Sequence, residues 1–109
     1  MNGSDMDNPV MSNTKWDEVR LAMDALDPCP MWSTFVKNGH RYGPDGEWFY
    51  HFRNGSYEDI IHVDIHVASS QQRELVQSAL KKIHVPGEET ADGFRFFGFV
   101  ERGQFIDYI

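Results

Sequence analysis

The chain has 109 residues, 40% hydrophobic and 14% aromatic, which suits one domain with a substantial core. Its single cysteine, Cys29, excludes an intramolecular disulfide framework and a multi-thiolate zinc site. Seventeen Asp and Glu against ten Lys and Arg give a formal net charge of −7. Because phosphate backbones repel an acidic surface, we expect no nucleic-acid partner.

The N-terminal part of the chain predicts a tail followed by a helix. Residues 1–12 mix Asn, Asp, Ser and Met without periodicity, which predicts a disordered tail. A helix is predicted from about Thr14 to Leu26, because Pro28 prevents its continuation. The apolar residues at helical spacing are Trp16, Val19, Met23 and Leu26.

Three strands are predicted next, over residues 32–37, 47–53 and 60–67. The middle one is the strongest prediction, since its four aromatic side chains suit a pleated surface. Residues 38–46 contain three glycines and predict a loop or a wide hairpin. Residues 60–67 alternate strictly between apolar and polar, which predicts one buried face and one wet face.

A second helix is predicted to begin at Ser69 or Ser70. Ser69 with Gln72 has the spacing of a capping box, in which side chains satisfy the first backbone amides of a helix. Pro86 and Gly87 end the helix, and the glycine is suited to a left-handed cap.

The remaining residues complete the predicted fold. Residues 88–93 predict an acidic loop, and residues 94–101 and 104–108 predict a final hairpin. Short connections favour antiparallel neighbours. We therefore predict a single α+β domain over residues 13–109, with about five mostly antiparallel strands, two helices on one face, and the order α-β-β-β-α-β-β. Pattern alone leaves open whether the final hairpin joins the first three strands.

One candidate site is a metal centre on the predicted strands. His62, Asp64 and His66 share one strand face, and His51 on the preceding predicted strand supplies a further ligand type. The function that this pattern would imply is a small metal-dependent enzyme or a metal-binding protein. Because residues four apart on a flat strand lie ~13 Å apart, the spacing favours a solvated strand face instead.

Catalytic patterns are otherwise missing from the sequence. Cys29 lies between two prolines with no cation nearby that would lower its pKa, and Ser33 lacks the Gly-x-Ser-x-Gly context of a nucleophile. We therefore predict a non-enzymatic protein with no catalytic residues and no cofactor.

A phenylalanine cluster near the C-terminus predicts a binding surface. Phe94 and Phe96 share one strand face and Phe97 and Phe99 share the other, so one pair is predicted in the core. The other pair, Phe97 and Phe99 with Arg95 at the edge, has the apolar centre and charged rim of an interface. Burial of both pairs is the alternative, and alternation does not say which pair is inside.

The acidic loop predicts the chemistry of the partner. Glu88 and Glu89 add negative charge beside the phenylalanine cluster, which steers a basic protein toward this surface. A second copy of the chain, giving a homodimer, is the alternative occupant of the same surface.

Two sequence runs resemble those of a family of small bacterial proteins of unknown function. They are Asp-Gly-Glu-Trp-Phe-Tyr-His-Phe at residues 45–52 and Ile-His-Val-Pro-Gly-Glu at residues 83–88. The resemblance implies a bacterial, cytoplasmic, one-domain protein and brings no activity with it. The sequence also contains no apolar run near the ~20 residues of a membrane span, so we expect no membrane contact.

The leading functional hypothesis is an acidic protein-binding module, for example an immunity or inhibitor protein that acts on a basic toxin or nuclease. A mobile-element antagonist of a host defence system would have the same physical properties and is a further alternative. Small size, acidity and a predicted open sheet motivate both hypotheses.

Overall fold

The computed structural model describes residues 8–52, 57–100 and 107–109. Within these ranges the chain forms two helices and seven strands. In chain order they are β1 (Asn8–Pro9), α1 (Asn13–Asp24), β2 (Met31–Val36), β3 (Arg41–Asp45), β4 (Ile60–His66), α2 (Ser70–Ile83), β5 (Gly87–Thr90), β6 (Gly93–Phe97) and β7 (Phe99–Val100). Neither helix is long and apolar enough to cross a membrane.

Five of the strands form one antiparallel sheet in the order β3-β2-β4-β6-β5. Its register places Thr34 opposite Val63 and Val63 opposite Phe96, so these residues share one face of the sheet. Both helices pack on that face, since the Trp16 ring of α1 lies 5.6 Å from the Phe96 ring and α2 also contributes to the core. The predicted α+β class, the element order and the placement of the helices are thereby confirmed.

The core lies between the sheet and the helices. It is strongly aromatic, and the alternation of β6 turns Phe94 and Phe96 to the helix side. Its fully buried larger side chains are Trp48, Phe94, Phe96, Met23, Ile65, Leu80, Val19, Val63, Val76 and Val85. The outer face of the sheet, opposite the helices, carries Ser33, Phe35, His62, Asp64, Arg95 and Phe97.

Both helices begin where serine caps them. The Ser69 hydroxyl accepts a hydrogen bond from the Gln72 amide at 3.0 Å, as the capping box predicts. The Gln72 side chain does not return to Ser69; it accepts from the Ala68 amide instead. The left-handed residue that ends α2 is His84, with φ of 67°, and not Gly87, which lies buried at the start of β5.

The predicted disordered tail differs from the structure in its last five residues. Asn8–Pro9 pairs with β7, and the Met11 side chain is only 9% exposed in the core. Residues 1–7 lie outside the described residues. Met11 is therefore part of the core although it ends an irregular polar segment. A search for periodic apolar residues cannot identify such an isolated core residue.

Three strand predictions need correction. The sequence predicts its strongest strand over residues 47–53, but residues 48–52 form turns, while β3 lies within the predicted loop 38–46. The predicted acidic loop 88–93 contains most of edge strand β5, and charged side chains are common on such edges. The final segment divides at Gly98, where β6 joins the main sheet and β7 leaves it to pair with β1. The turn of the predicted final hairpin lies outside the described residues.

Candidate functional site

The aromatic loop (residues 45–52) is built by two of its own carboxylates. Asp45 accepts a hydrogen bond from the Glu47 amide at 2.8 Å. The Glu47 carboxylate then accepts from the amides of Phe49, Tyr50 and His51, the last at 2.7 Å. These amides, the His51 amide foremost, hold the pKa of Glu47 below its ordinary value. Hydrogen bonds from backbone amides to these nearby carboxylates thus take the place of hydrogen bonds to a neighbouring strand, and the loop residues form turns.

Two buried tryptophans anchor the loop to the core. The fully buried Trp48 indole donates to the Pro30 carbonyl at 2.8 Å. The Trp32 indole of β2 donates to the Glu47 carbonyl at 2.9 Å. Both of these indole N–H groups therefore have a partner, and they hold the loop against β2 and against the residues that precede β2.

The next two residues of the loop are aromatic and exposed. Tyr50 is 73% exposed and Phe49 41% exposed, and their rings meet edge-on at 4.9 Å. From α1, the Arg20 guanidinium lies 4.8 Å from the Phe49 ring centre and donates to the Phe49 carbonyl at 2.6 Å. The loop consequently holds two large aromatic side chains at the surface on a supported backbone.

A cavity of about 540 Å³ lies beside the loop, against β2 and β3. Its apolar lining consists of Trp32, Val36, Phe52 and Ile60. Its polar and aromatic lining includes Thr34, Asn38, Tyr42, Asp45, His51 and Asp59. We call this cavity the cleft. Gly43 belongs to its wall, with φ of +93°, and a Cβ there would lie 2.5 Å from the Trp32 carbonyl oxygen. A side chain at this position would therefore distort the wall.

His51 and Asp45 form a hydrogen-bonded pair at the cleft. The His51 Nδ1 donates to Asp45 Oδ2 at 2.8 Å, and a Glu47 oxygen lies 3.9 Å from the same nitrogen. The hydrogen bond to Asp45 raises the pKa of His51. The Glu47 amide and then His51 lower the pKa of Asp45. The imidazole is thus oriented by a carboxylate, while its side chain is 60% exposed to solvent.

The other predicted metal ligands are engaged elsewhere. Asp64 accepts two hydrogen bonds from Arg95, at 2.7 and 3.1 Å. The His66 ring contacts Ser33 Oγ at 2.9 Å and an Asp92 oxygen at 3.0 Å. Across the part of the chain that the structure describes, no group of three or more His, Cys, Asp or Glu is placed to hold a metal ion. The structure therefore does not bring His51, His62, Asp64 and His66 together as ligands.

His62 is the one described residue with a buried side-chain N or O atom that lacks a hydrogen-bond partner, at its Nδ1. Its ring stacks on Phe35 at 5.3 Å. Burial, followed by the positive charge of Arg95, lowers the pKa of His62. Arg41 lowers it further, while Asp64, 4.0 Å away, acts in the opposite direction.

The two histidines are expected to titrate on opposite sides of pH 6.5, the ordinary value for the side chain. At that pH His51 is mostly protonated because Asp45 stabilises its cation, and His62 is mostly neutral because burial penalises the charge. Proton and carbon NMR of the ring resonances, assigned with His51→Gln and His62→Gln, measures both midpoints. A His62 midpoint at or above that of His51 would contradict the packing described for the outer face.

The predicted binding residues Phe97, Phe99 and Arg95 occupy different environments. Phe97 lies opposite His62 on the outer face and is half-buried. Phe99 is half-buried in β7, with the Lys37 ammonium 4.1 Å from its ring centre. Arg95 forms an ion pair with Asp64 within the sheet, so it is not the free charged edge that the sequence pattern predicts.

The predicted steering residues Glu88 and Glu89 lie on β5, and both are exposed. Glu88 is opposite Arg95 in the register, and its negative charge helps to raise the pKa of Arg95, after the larger effect of Asp64. Glu89 forms an ion pair with Arg73 of α2 at 3.1 Å. Strand alternation therefore turns the two carboxylates to opposite faces of the sheet.

The aromatic loop could not be predicted from its aromatic residues alone, because the two carboxylates that precede them determine its turns. The available signal was Asp45-Gly46-Glu47, since an Asp side chain that binds the amide two residues on initiates a turn. Searches for similar chains gave no curated protein and no solved structure. A family model described as "Family of unknown function (DUF6678)" matches residues 5–103, and because this is most of the chain, the protein belongs to that family.

Proposed function

We propose that the protein is a non-enzymatic protein-binding module whose contact surface is the aromatic loop together with the cleft. The observation that carries the proposal is the Glu47 carboxylate, which holds three consecutive loop amides while Phe49 and Tyr50 remain exposed. Exposed tyrosines on a supported backbone are typical anchors of interfaces. Since the loop is already ordered, little conformational entropy is lost on binding.

The outer face of the sheet is the competing surface. It contains Phe97 with Arg95, and Phe99 follows in β7; these are the residues at which the sequence predicts an interface. Its aromatic side chains are half-buried, however, and the Arg95 guanidinium is already paired with Asp64. A partner would gain less binding free energy at this face, because little additional apolar area could be removed from water.

Charge supports a basic partner. The net charge of −7 attracts positively charged proteins and accelerates their encounter. An immunity or inhibitor protein that blocks a basic toxin or nuclease in the cytoplasm has this chemistry. A mobile-element antagonist of a host defence protein would use the same surface and differ in its target.

The test is quantitative capture from a lysate of the native host with matched variants of the full chain. Tyr50→Ala should reduce recovery of the specific partner about tenfold, since interface tyrosines commonly contribute more than 1 kcal/mol. Phe97→Ser should leave recovery close to that of the parent protein. Loss of the partner with Phe97→Ser and not with Tyr50→Ala would transfer the binding surface to the outer face. Sedimentation of the purified chain separately tests for a homodimer.

A further inference from the structure

We propose that the cleft binds the guanidinium of one arginine side chain of the partner. The inference rests on the proposed function and deepens it, because it identifies the chemical group that the site selects. A volume of about 540 Å³ is within the ~300–1,000 Å³ range of ligand pockets and accommodates an arginine side chain.

The aromatic lining is suited to a flat cation. Trp32 and Phe52 are only 4% and 2% exposed, so the accessible aromatic ring of the cleft is that of Tyr42, which is 54% exposed. Guanidinium planes stack on aromatic faces, where the ring quadrupole attracts the positive charge. An ammonium group lacks this planar match, so arginine is favoured over lysine.

The charges of the cleft favour a cation. Asp45 and Asp59 both line it, and no lysine or arginine is found among its described lining residues. His51 is the competing positive group, and it is bound to Asp45 through Nδ1. Asp59 is engaged through its backbone, whose carbonyl accepts from the Lys37 amide at 2.9 Å. Asp59 lines the cleft, and a carboxylate can accept two hydrogen bonds from one guanidinium.

Thr34 adds a hydroxyl group to the wall of the cleft. The residue is only 5% exposed and lines the cleft. Its side chain lies on the same face of β2 as Trp32 and Val36, which also line the cleft. A guanidinium N–H in the cleft could donate to this hydroxyl oxygen. The apolar walls, the two carboxylates and the hydroxyl therefore match the three parts of an arginine side chain: its methylenes, its charge and its N–H groups.

The experiment uses the purified full chain and two small probes, N-acetyl-arginine amide and its neutral isostere N-acetyl-citrulline amide. Each is titrated to about 50 mM, a range that detects affinities near those of weak single-group contacts. The arginine probe should shift the Trp32 indole and Thr34 amide resonances in a saturable way, and the citrulline probe should bind about tenfold more weakly. Equal binding of both probes, or no saturable shift with either, would overturn the proposal.

Matched variants locate the site. Asp59→Asn should weaken the arginine probe several-fold, since it removes one cleft carboxylate without changing side-chain size. Thr34→Val should also weaken it, because valine has nearly the same shape without the hydroxyl. Glu88→Gln removes the same charge from exposed β5 and should change nothing. An equal effect of Glu88→Gln and Asp59→Asn would mean that net charge, and not the cleft, attracts the probe.

The two proposals fail in distinguishable ways. If the arginine probe does not bind while Tyr50→Ala still abolishes partner capture, the binding module stands and the arginine pocket is wrong. If the probe binds at the cleft while Tyr50→Ala captures as the parent does, the cleft stands and the aromatic loop is not the contact surface.

Discussion

Trp48→Ala is expected to lower the free energy of unfolding by about 3–5 kcal/mol, the usual cost of truncating a buried aromatic residue. The Trp48 side chain has no exposed surface, and its ring packs 4.7 Å from Phe52. Its loss would also leave the Pro30 carbonyl without the indole donor. Denaturant unfolding followed by circular dichroism measures the change.

The matched control is Tyr50→Ala in the same loop, which should change the unfolding free energy by about 0.5 kcal/mol or less, since this side chain is largely in water. A Trp48→Ala protein with a midpoint near that of the parent would mean that the loop does not depend on its buried anchor. The same result would weaken the proposed function, because the display of Phe49 and Tyr50 relies on that anchor.

Phe96→Ala should also cost about 3–5 kcal/mol, and Phe97→Ala clearly less, near 1 kcal/mol. Phe96 is fully buried opposite Val63 and contacts the Trp16 ring of α1. Phe97, its neighbour in β6, points to the outer face and is half-buried. Thermal and denaturant unfolding of both variants compare the two faces of one strand.

The order of these two effects tests the orientation of the sheet. If Phe97→Ala were the more destabilising, the outer face would carry the core, and the helices would have to pack there. The Phe97→Ser variant, which serves as the control for partner capture, depends on the same orientation, so the stability measurement should be made first.

Most of β4 and the N-terminal cap of α2 could be predicted because the physics that forms them is local. Alternation predicts which side chains face the core from His62 to His66, where Val63 and Ile65 are buried. At the start of the strand a register shift against β2 breaks the alternation, so Ile60 is buried and Ile61 only half-buried. Ser69 caps α2 through a bond to an amide three residues away. The pair Phe94 and Phe96 could be separated from Phe97 by the same alternation, although only the packed helices decide which face is inside.

The candidate site could not be predicted in this way, since it depends on contacts between distant parts of the chain. Aromatic residues at 48–52 favour a strand by propensity, yet burial of Trp48 against the Pro30 carbonyl and capping by Glu47 override that preference. The turn pairs His51 with Asp45, and among the described residues His51 and the β4 histidines are not brought together as one set of metal ligands.

The amino-acid sequence by itself therefore determined the class of the fold, the order of its main elements and the acidic character of its surface, because these follow from periodicity, capping and charge. Tertiary structure alone decided that an acidic segment becomes edge strand β5 and that an aromatic run becomes an exposed loop beside a cleft. The reason is physical: a backbone amide takes whichever acceptor the folded chain places nearest, and for Phe49, Tyr50 and His51 that acceptor is the Glu47 carboxylate and not a neighbouring strand.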